Sequence, residues 1–408
     1  MLIANKIKTL NLFLRLLSIV SKFLLILYIT KYFSISDLGV YGIFVITITL
    51  LVLVLGLDFY MYNTREILFV SDDTKINFMF NQFIVHILSY FLILPMIYFI
   101  FYFNIISYNY IYFFYGILII EHLSQELYRL FITLSKPLFA NILLFIRTSS
   151  WIYLVLLIWT INKEFQNLEF VWKMWLIGSL ISLLLGIYKI STMFNISKKQ
   201  FKVNYIWITT GIKISSIFLL STFMLKIIEF SDRYMIKYIL NHESLGIYTF
   251  YVSFSNVAQV IVFTVVVMTF LPSILDSNKI NYINLKNKFN KHIIIVSIIS
   301  FFVVILALYT ALFIVSKNLL YENIIVFYIL NFAILIQNIS LIYYYTLYKR
   351  KKEKIILIST IVAAIINVIC NFIFIPHFGL IGAALSTIIA IFTMSVFQYF
   401  FIRKLKND

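Results

Sequence analysis

Four cations stand inside stretches that are otherwise apolar: Arg15, Lys22, Arg147 and Lys213. Removing a cation from water is costly unless it is paired, so each one points to an ion pair, a polar cavity or an anionic ligand. Asn11, Arg15, Ser18 and Lys22 recur at spacings of four, three and four, which puts them on one stripe of a helix. Thr209, Lys213 and Ser216 repeat the first three positions of that pattern. Such stripes are expected to face water and to compensate negative charge crossing a low-dielectric region. The structural alternatives are snorkelling for Arg15 and Lys213, and a buried ion pair for Lys22 and Arg147. The acids in comparable positions are Asp58, Glu121 and Glu126. A buried carboxylate can carry a proton, His122 beside Glu121 titrates near neutrality, and these four residues are candidates for ion coupling. His122, Glu126 and Arg129 share a helical face, and a plain Glu126–Arg129 pair is the competing explanation for those two.

The elements that must hold these residues are membrane-spanning helices. The chain of 408 residues is 62% hydrophobic and 12% charged, with a mean hydropathy of +0.99. Lipid is the solvent such a composition requires. The runs are continuously apolar, without the alternation of a barrel strand. We read spans at Leu10–Phe33, Leu38–Tyr62, Phe78–Phe103, Tyr110–Leu134, Leu138–Ile161, Phe170–Ser191, Tyr205–Ile228, Leu245–Leu271, Ile293–Val315, Ile324–Tyr348, Ile355–Ile375 and Leu380–Ile402. On that scheme Lys22 lies about 18 Å along its helix and Arg147 about 13 Å along its own, at 1.5 Å per residue. The longest outer connection, Glu229 to Ser244, contains Asp232 and Arg233. The first run is too long for the core of a cleavable signal. The lone Cys370 excludes an internal disulfide, and no Cys/His cluster has metal-ligand spacing in the chain, so no metal is expected.

The net charge of +17 is topological rather than a sign of nucleic-acid binding. With a cytoplasmic N-terminus, twenty-two of the 33 Lys and Arg residues fall on the inner side, among them Lys198, Lys199 and the Lys349–Lys354 cluster, and seven fall outside. The positive-inside rule then places both termini in the cytoplasm.

The chain carries traces of a duplication. Ser36-Asp37-Leu38-Gly39-Val40-Tyr41 and Glu243-Ser244-Leu245-Gly246-Ile247-Tyr248 begin spans with the same Leu-Gly-aliphatic-Tyr pattern, 207 positions apart. Arg15-Leu16-Leu17-Ser18-Ile19 and Lys213-Ile214-Ser215-Ser216-Ile217 match at an offset of 198. We therefore expect two parallel six-helix bundles, residues 1–200 and 201–408. The cations of the two stripes would then face one central cavity.

These segments, with Asp232-Arg233-Tyr234 and the stretch Asn367, Asn371, Pro376, Gly379 and Gly382-Ala383-Ala384, resemble the polysaccharide-transporter branch of the multidrug/oligosaccharidyl-lipid/polysaccharide (MOP) exporter superfamily, whose members include O-antigen flippases. The likeness runs the length of the chain, and the last stretch is its most specific part. Without the family, Pro376 and Gly379 read as a tight reversal between two helices, and the small residues beyond as a close helix contact. The resemblance implies an all-α, MATE-like fold in a bacterial inner membrane. It further implies flipping of undecaprenyl-pyrophosphate-linked oligosaccharide by alternating access, without a cofactor and driven by a proton or sodium gradient. Membrane lipid and other polysaccharide-assembly proteins would be its partners. An O-antigen polymerase, an enzyme of similar size, and a MATE-like small-molecule exporter are the alternatives. The polymerase would need a large outer loop, and an exporter of organic cations would favour an acidic cavity.

Overall fold

The computed structural model describes residues 2–68, 70–194, 201–276 and 279–407; Lys198 and Lys199 lie outside the described residues. The described residues form helices and no strand. In order these are α1 (Leu2–Tyr32), α2 (Ile35–Gly56), α3 (Tyr60–Ile67), α4 (Asp72–Tyr102), α5 (Ile111–Thr133), α6 (Pro137–Phe145), α7 (Trp151–Ile161), α8 (Leu168–Phe194), α9 (Tyr205–Ile239) and α10 (His242–Val262). After them come α11 (Met268–Asp276), α12 (Lys279–Val315), α13 (Asn318–Glu322), α14 (Ile324–Lys349) and α15 (Glu353–Asn407). One turn of π-helix, Ile146–Ser150, joins α6 to α7, and another, Phe263–Val267, joins α10 to α11.

Ten of the resulting rods are long and apolar enough to cross a bilayer among the described residues. Two further crossings follow from particular residues. The 23-residue α5 is long enough but is diluted by Glu121, His122, Gln125 and Glu126. The 55-residue α15 is two helices, because its backbone reverses at Gly379 with φ 56° and ψ −132°. Only glycine adopts that conformation without strain, and Pro376 has already removed a helical hydrogen-bond donor nearby. The second arm then lies so close to the first that a Cβ at Gly382 would fall on the Phe374 carbonyl. The reversal expected at Pro376–Gly379 is therefore present.

The polarity is inverted relative to a water-soluble protein. Asn367, Asn371 and His122 have no exposed surface, whereas Phe91, Phe313 and Phe372 are more than two-thirds exposed. That is the arrangement lipid favours, since an unpaired polar group costs several kcal/mol in hydrocarbon. The protein is a multi-pass, all-helical membrane protein.

Contacts divide the chain into one unit of residues 1–28 and 43–223 and a second of residues 29–42 and 224–408. In the first, Phe59, Tyr62, Val85, Trp207 and Ile208 form a core cluster, and Ile76, Phe131, Leu143 and Phe194 another. In the second, the clusters are built on Val266, Ile274 and Phe289, and on Ile228, Ala363 and Ala390.

The two Leu-Gly motifs meet within the second unit. A Cβ at Gly39 would fall on the His242 carbonyl, and one at Gly246 on the Ile35 carbonyl. The first turns of α2 and α10 thus touch backbone to backbone, each through the other's glycine. Both turns are capped from the sequence. Ser34 and Asp37 exchange hydrogen bonds as a capping box, the Asp37 amide donating to Ser34 Oγ at 3.0 Å and the Ser34 amide to Asp37 Oδ2 at 3.1 Å. Asn241 Oδ1 accepts from the Ser244 amide at 2.8 Å.

Differences from the expected spans move two of the candidate positions. The span drawn as Leu38–Tyr62 breaks after Gly56, where Leu57 and Asp58 take φ of 51° and 49°, so Asp58 sits at a break and not inside a helix. The span drawn to Ile228 continues to Ile239, which leaves only Leu240 and Asn241 between α9 and α10. Asp232 and Arg233 are helical rather than part of an outer loop. Apolar flanks and the buried partners of Asp232 override the polar look of Glu229–Arg233.

Candidate functional site

Two polar networks occupy the interior of the first unit. The first is centred on Glu121 of α5, 8% exposed. Its Oε1 accepts from Trp175 Nε1 at 2.5 Å and Ser179 Oγ at 3.0 Å. Its Oε2 lies 3.3 Å from Nε of Arg147, an ion-pair distance without hydrogen-bond alignment. The Arg147 guanidinium also donates to Gln125 Oε1 and to the Glu121 carbonyl. Arg147 stands on the π turn, whose wider winding displaces a side chain from its regular α-helical position; such turns recur at functional sites. Lys22, on α1, is exposed and within electrostatic reach of both Glu121 and Arg147.

The other two expected cations are placed differently. Arg15 Nε donates to Asn141 Oδ1 at 3.2 Å, and Asn141 Nδ2 donates to Asn11 Oδ1 at 2.9 Å. Lys213 is exposed, as are Thr209 and Ser216 on its stripe. The stripe of α1 is mixed, with Ser18 buried, Asn11 and Arg15 half-buried and Lys22 exposed. Arg147 is thus paired with Glu121, Lys22 lies within electrostatic reach of that pair, and Arg15 has an amide for a partner.

The second network joins α4 and α5. Glu126 Oε1 accepts from Arg129 at 2.6 Å, and that guanidinium lies 3.8 Å from the Tyr60 ring centroid. Glu126 Oε2 accepts from Gln82 Nε2 at 2.7 Å and is 3.7 Å from Nε2 of His86. The His86 and His122 rings meet edge to face with centroids 4.7 Å apart. Tyr90 Oη is 2.6 Å from His122 Nδ1. The Glu126–Arg129 pair was legible as an i,i+3 spacing. His86 was not, because it lies 36 positions before His122 and only helix packing unites them. The sequence spacing shows no metal-ligand cluster, but packing brings one set of possible ligands together among the described residues: ligand atoms of His86, His122 and Glu126 lie within 4.8 Å of one another. Asp58, buried at the α2–α3 break, is within electrostatic reach of Glu126 and Arg129.

In the second unit Asp232 is 3% exposed. Its Oδ1 accepts from the Arg233 amide at 2.7 Å, and its Oδ2 from the Tyr248 hydroxyl. On the adjoining residue, Ser231 Oγ donates to Asn367 Oδ1 at 2.6 Å, and Asn371 Nδ2 donates to Asn367 Oδ1 at 3.2 Å. Asn371 Oδ1 is buried without a hydrogen-bond partner. This set supplies hard oxygen donors only, which suits a proton or an alkali cation better than a transition metal. Arg233 is buried, with its guanidinium 5.6 Å from the Phe230 ring centroid.

No protein-family profile and no curated protein sequence matches the chain. Solved structures do. One is described as the inward-facing conformation of a multidrug resistance MATE family transporter of the MOP superfamily; its TM-score is 0.75 at 13% identity, over 96% of each chain. Another is the lipid II flippase MurJ in an inward closed conformation, with a TM-score of 0.76 at 15% identity, over 97% of this chain and 87% of that one. The chain has the MOP-transporter fold. At such identities the shared property is the path of the backbone, and the side-chain networks above belong to this chain.

Proposed function

We propose that the protein is a transporter that moves undecaprenyl-pyrophosphate-linked oligosaccharide, such as an O-antigen unit, across a bacterial inner membrane by alternating access, with both termini cytoplasmic. The observation that carries the reading is Lys22. It is an exposed ammonium deep in a spanning helix, beside an Arg147–Glu121 pair that is already matched, so this region keeps one positive charge in excess. An excess cation there is expensive unless an anion uses it, and a pyrophosphate head group would. Arg15 and Lys213 would add positive field around the same cargo. Proton or sodium coupling would supply the work, with the oxygen donors around Asp232 chemically suited to the ion. The likeness to a lipid-linked flippase supports this reading. The two-residue α9–α10 connection speaks against a polymerase, which would need a catalytic outer loop.

The likeness to a MATE transporter over 96% of both chains favours a second reading, a small-molecule exporter. The excess of cations then selects anionic over cationic cargo.

The test uses cells whose surface polysaccharide depends on this protein. Lys22→Gln should abolish surface polysaccharide at unchanged membrane abundance, and Lys22→Arg should keep most of it. Full polysaccharide in Lys22→Gln would sink the proposal.

A further inference from the structure

The side chains least explained by transport of a lipid-linked anion are the two histidines buried beside Glu126. Together they place two imidazoles and a carboxylate around one point in a helical interior. Imidazole nitrogen with one carboxylate oxygen is the donor set of borderline divalent ions such as zinc, and it is poor for alkali or alkaline-earth ions.

Three further observations favour a cation. First, His122 Nε2 is buried without a hydrogen-bond partner, and the space it faces is kept open by Gly56, where a Cβ would lie 3.2 Å from that nitrogen and 3.5 Å from Glu126 Oε1. An imidazole nitrogen left bare in a low-dielectric interior is unfavourable unless its lone pair has a use. Second, the groups behind the donors are arranged as supports. With Nδ1–H of His122 donating to Tyr90 Oη, the lone pair of Nε2 is directed into the cluster; this hydrogen bond fixes tautomer and ring orientation as such partners do in metal sites. Arg129 occupies Oε1 of Glu126 and leaves Oε2 toward His86. Third, a small cleft lined by Tyr60, Asn63, Thr64, Gln82, Glu126 and Arg129 reaches the carboxylate from one side.

Distances are compatible with closure. Zinc–ligand bonds near 2.0–2.1 Å imply ligand–ligand edges of about 3.3 Å in a tetrahedron. His86 Nε2 and Glu126 Oε2 are 3.7 Å apart, and all three ligand atoms lie within 4.8 Å. The Gln82 amide now bridges His86 Nε2 at 3.2 Å and Glu126 Oε2 at 2.7 Å, and would turn aside as an ion enters. Arg129 opposes a dication, but Glu126 and the nearby Asp58 carboxylate offset it.

We propose that His86, His122 and Glu126 bind one divalent transition-metal ion of the zinc class, with water completing a tetrahedron, so that the ion clips α4 to α5. This inference does not depend on the cargo.

The experiment uses full-length protein in detergent, carried by a tag without histidines and stripped with chelator. Zn²⁺ is titrated calorimetrically and Co²⁺ by absorption. One equivalent is expected, and the cobalt form should show the intense visible bands of a tetrahedral site. His86→Asn and His122→Asn should each lose that equivalent, whereas His292→Asn, an exposed histidine on α12, should keep it. Tyr90→Phe should weaken binding roughly 10–100-fold, as loss of an outer-shell partner does. An equivalent retained by folded His86→Asn or His122→Asn overturns the site. If those variants do not fold, the wild-type cobalt spectrum decides: tetrahedral bands support the site, and their absence overturns it.

Discussion

The two Leu-Gly turns, both in the second unit, are alike, and the interiors of the two units are not. Each Leu-Gly motif opens a capped helix, and each glycine admits the carbonyl of the other helix's first turn. The interiors share nothing comparable. The first unit holds Glu121, His86, His122, Glu126, Arg129 and Arg147 in two titratable networks, while the second holds Asp232 and Arg233 among hydroxyls and amides. A backbone crossing is reusable because it depends only on a missing side chain. A charged network depends on which partners face it, and those are set separately in each half.

The comparison breaks most severely at the glycines. Gly39→Leu and Gly246→Leu should each prevent accumulation of folded protein, since the new side chain meets backbone carbonyls that cannot move aside; fluorescence-detected size-exclusion chromatography after solubilisation would show the loss. Wild-type behaviour of either variant would show that the two turns need not touch.

A smaller effect is expected at the buried pair of the first unit. Glu121→Ala leaves Arg147 without its counter-charge, at a cost of about 3–5 kcal/mol, and thermal unfolding in detergent should shift accordingly. Glu121→Gln combined with Arg147→Met should recover much of that loss. If the double variant is no better than the single one, the pair is not the unit of stability.

The mildest case is in the second unit. Tyr248→Phe removes one charge-assisted hydrogen bond to Asp232, worth roughly 1.5–3 kcal/mol. The same unfolding assay measures it, and no change would mean that Asp232 finds another donor.

Much of the fold was legible because lipid imposes a simple rule. A run of about twenty apolar residues must be helical, and Pro and Gly mark where it turns, as at Pro376 and Gly379. The limits of that rule are visible at Asp232. Its segment looks like a polar connection, and it is helical because Tyr248, sixteen positions away, supplies the hydrogen bond that makes burial affordable. At Asp58 the reverse holds: an apolar run with one acid reads as continuous, and the chain breaks there.

The sites divide in the same way. Spacing along one helix determined that Glu126 and Arg129 would pair and that Asn11, Arg15, Ser18 and Lys22 would share a stripe, and the recurrence of the Leu-Gly motif was plain in the sequence itself. Only tertiary structure decided that Arg147 would meet Glu121, that His86 would reach His122, and that Gly39 would face the His242 carbonyl and Gly246 the Ile35 carbonyl. A helix rotates its side chains by a fixed angle per residue, so contacts within it follow from sequence spacing. Contacts between helices depend on crossing angle and axial offset, which the packing of the whole unit determines.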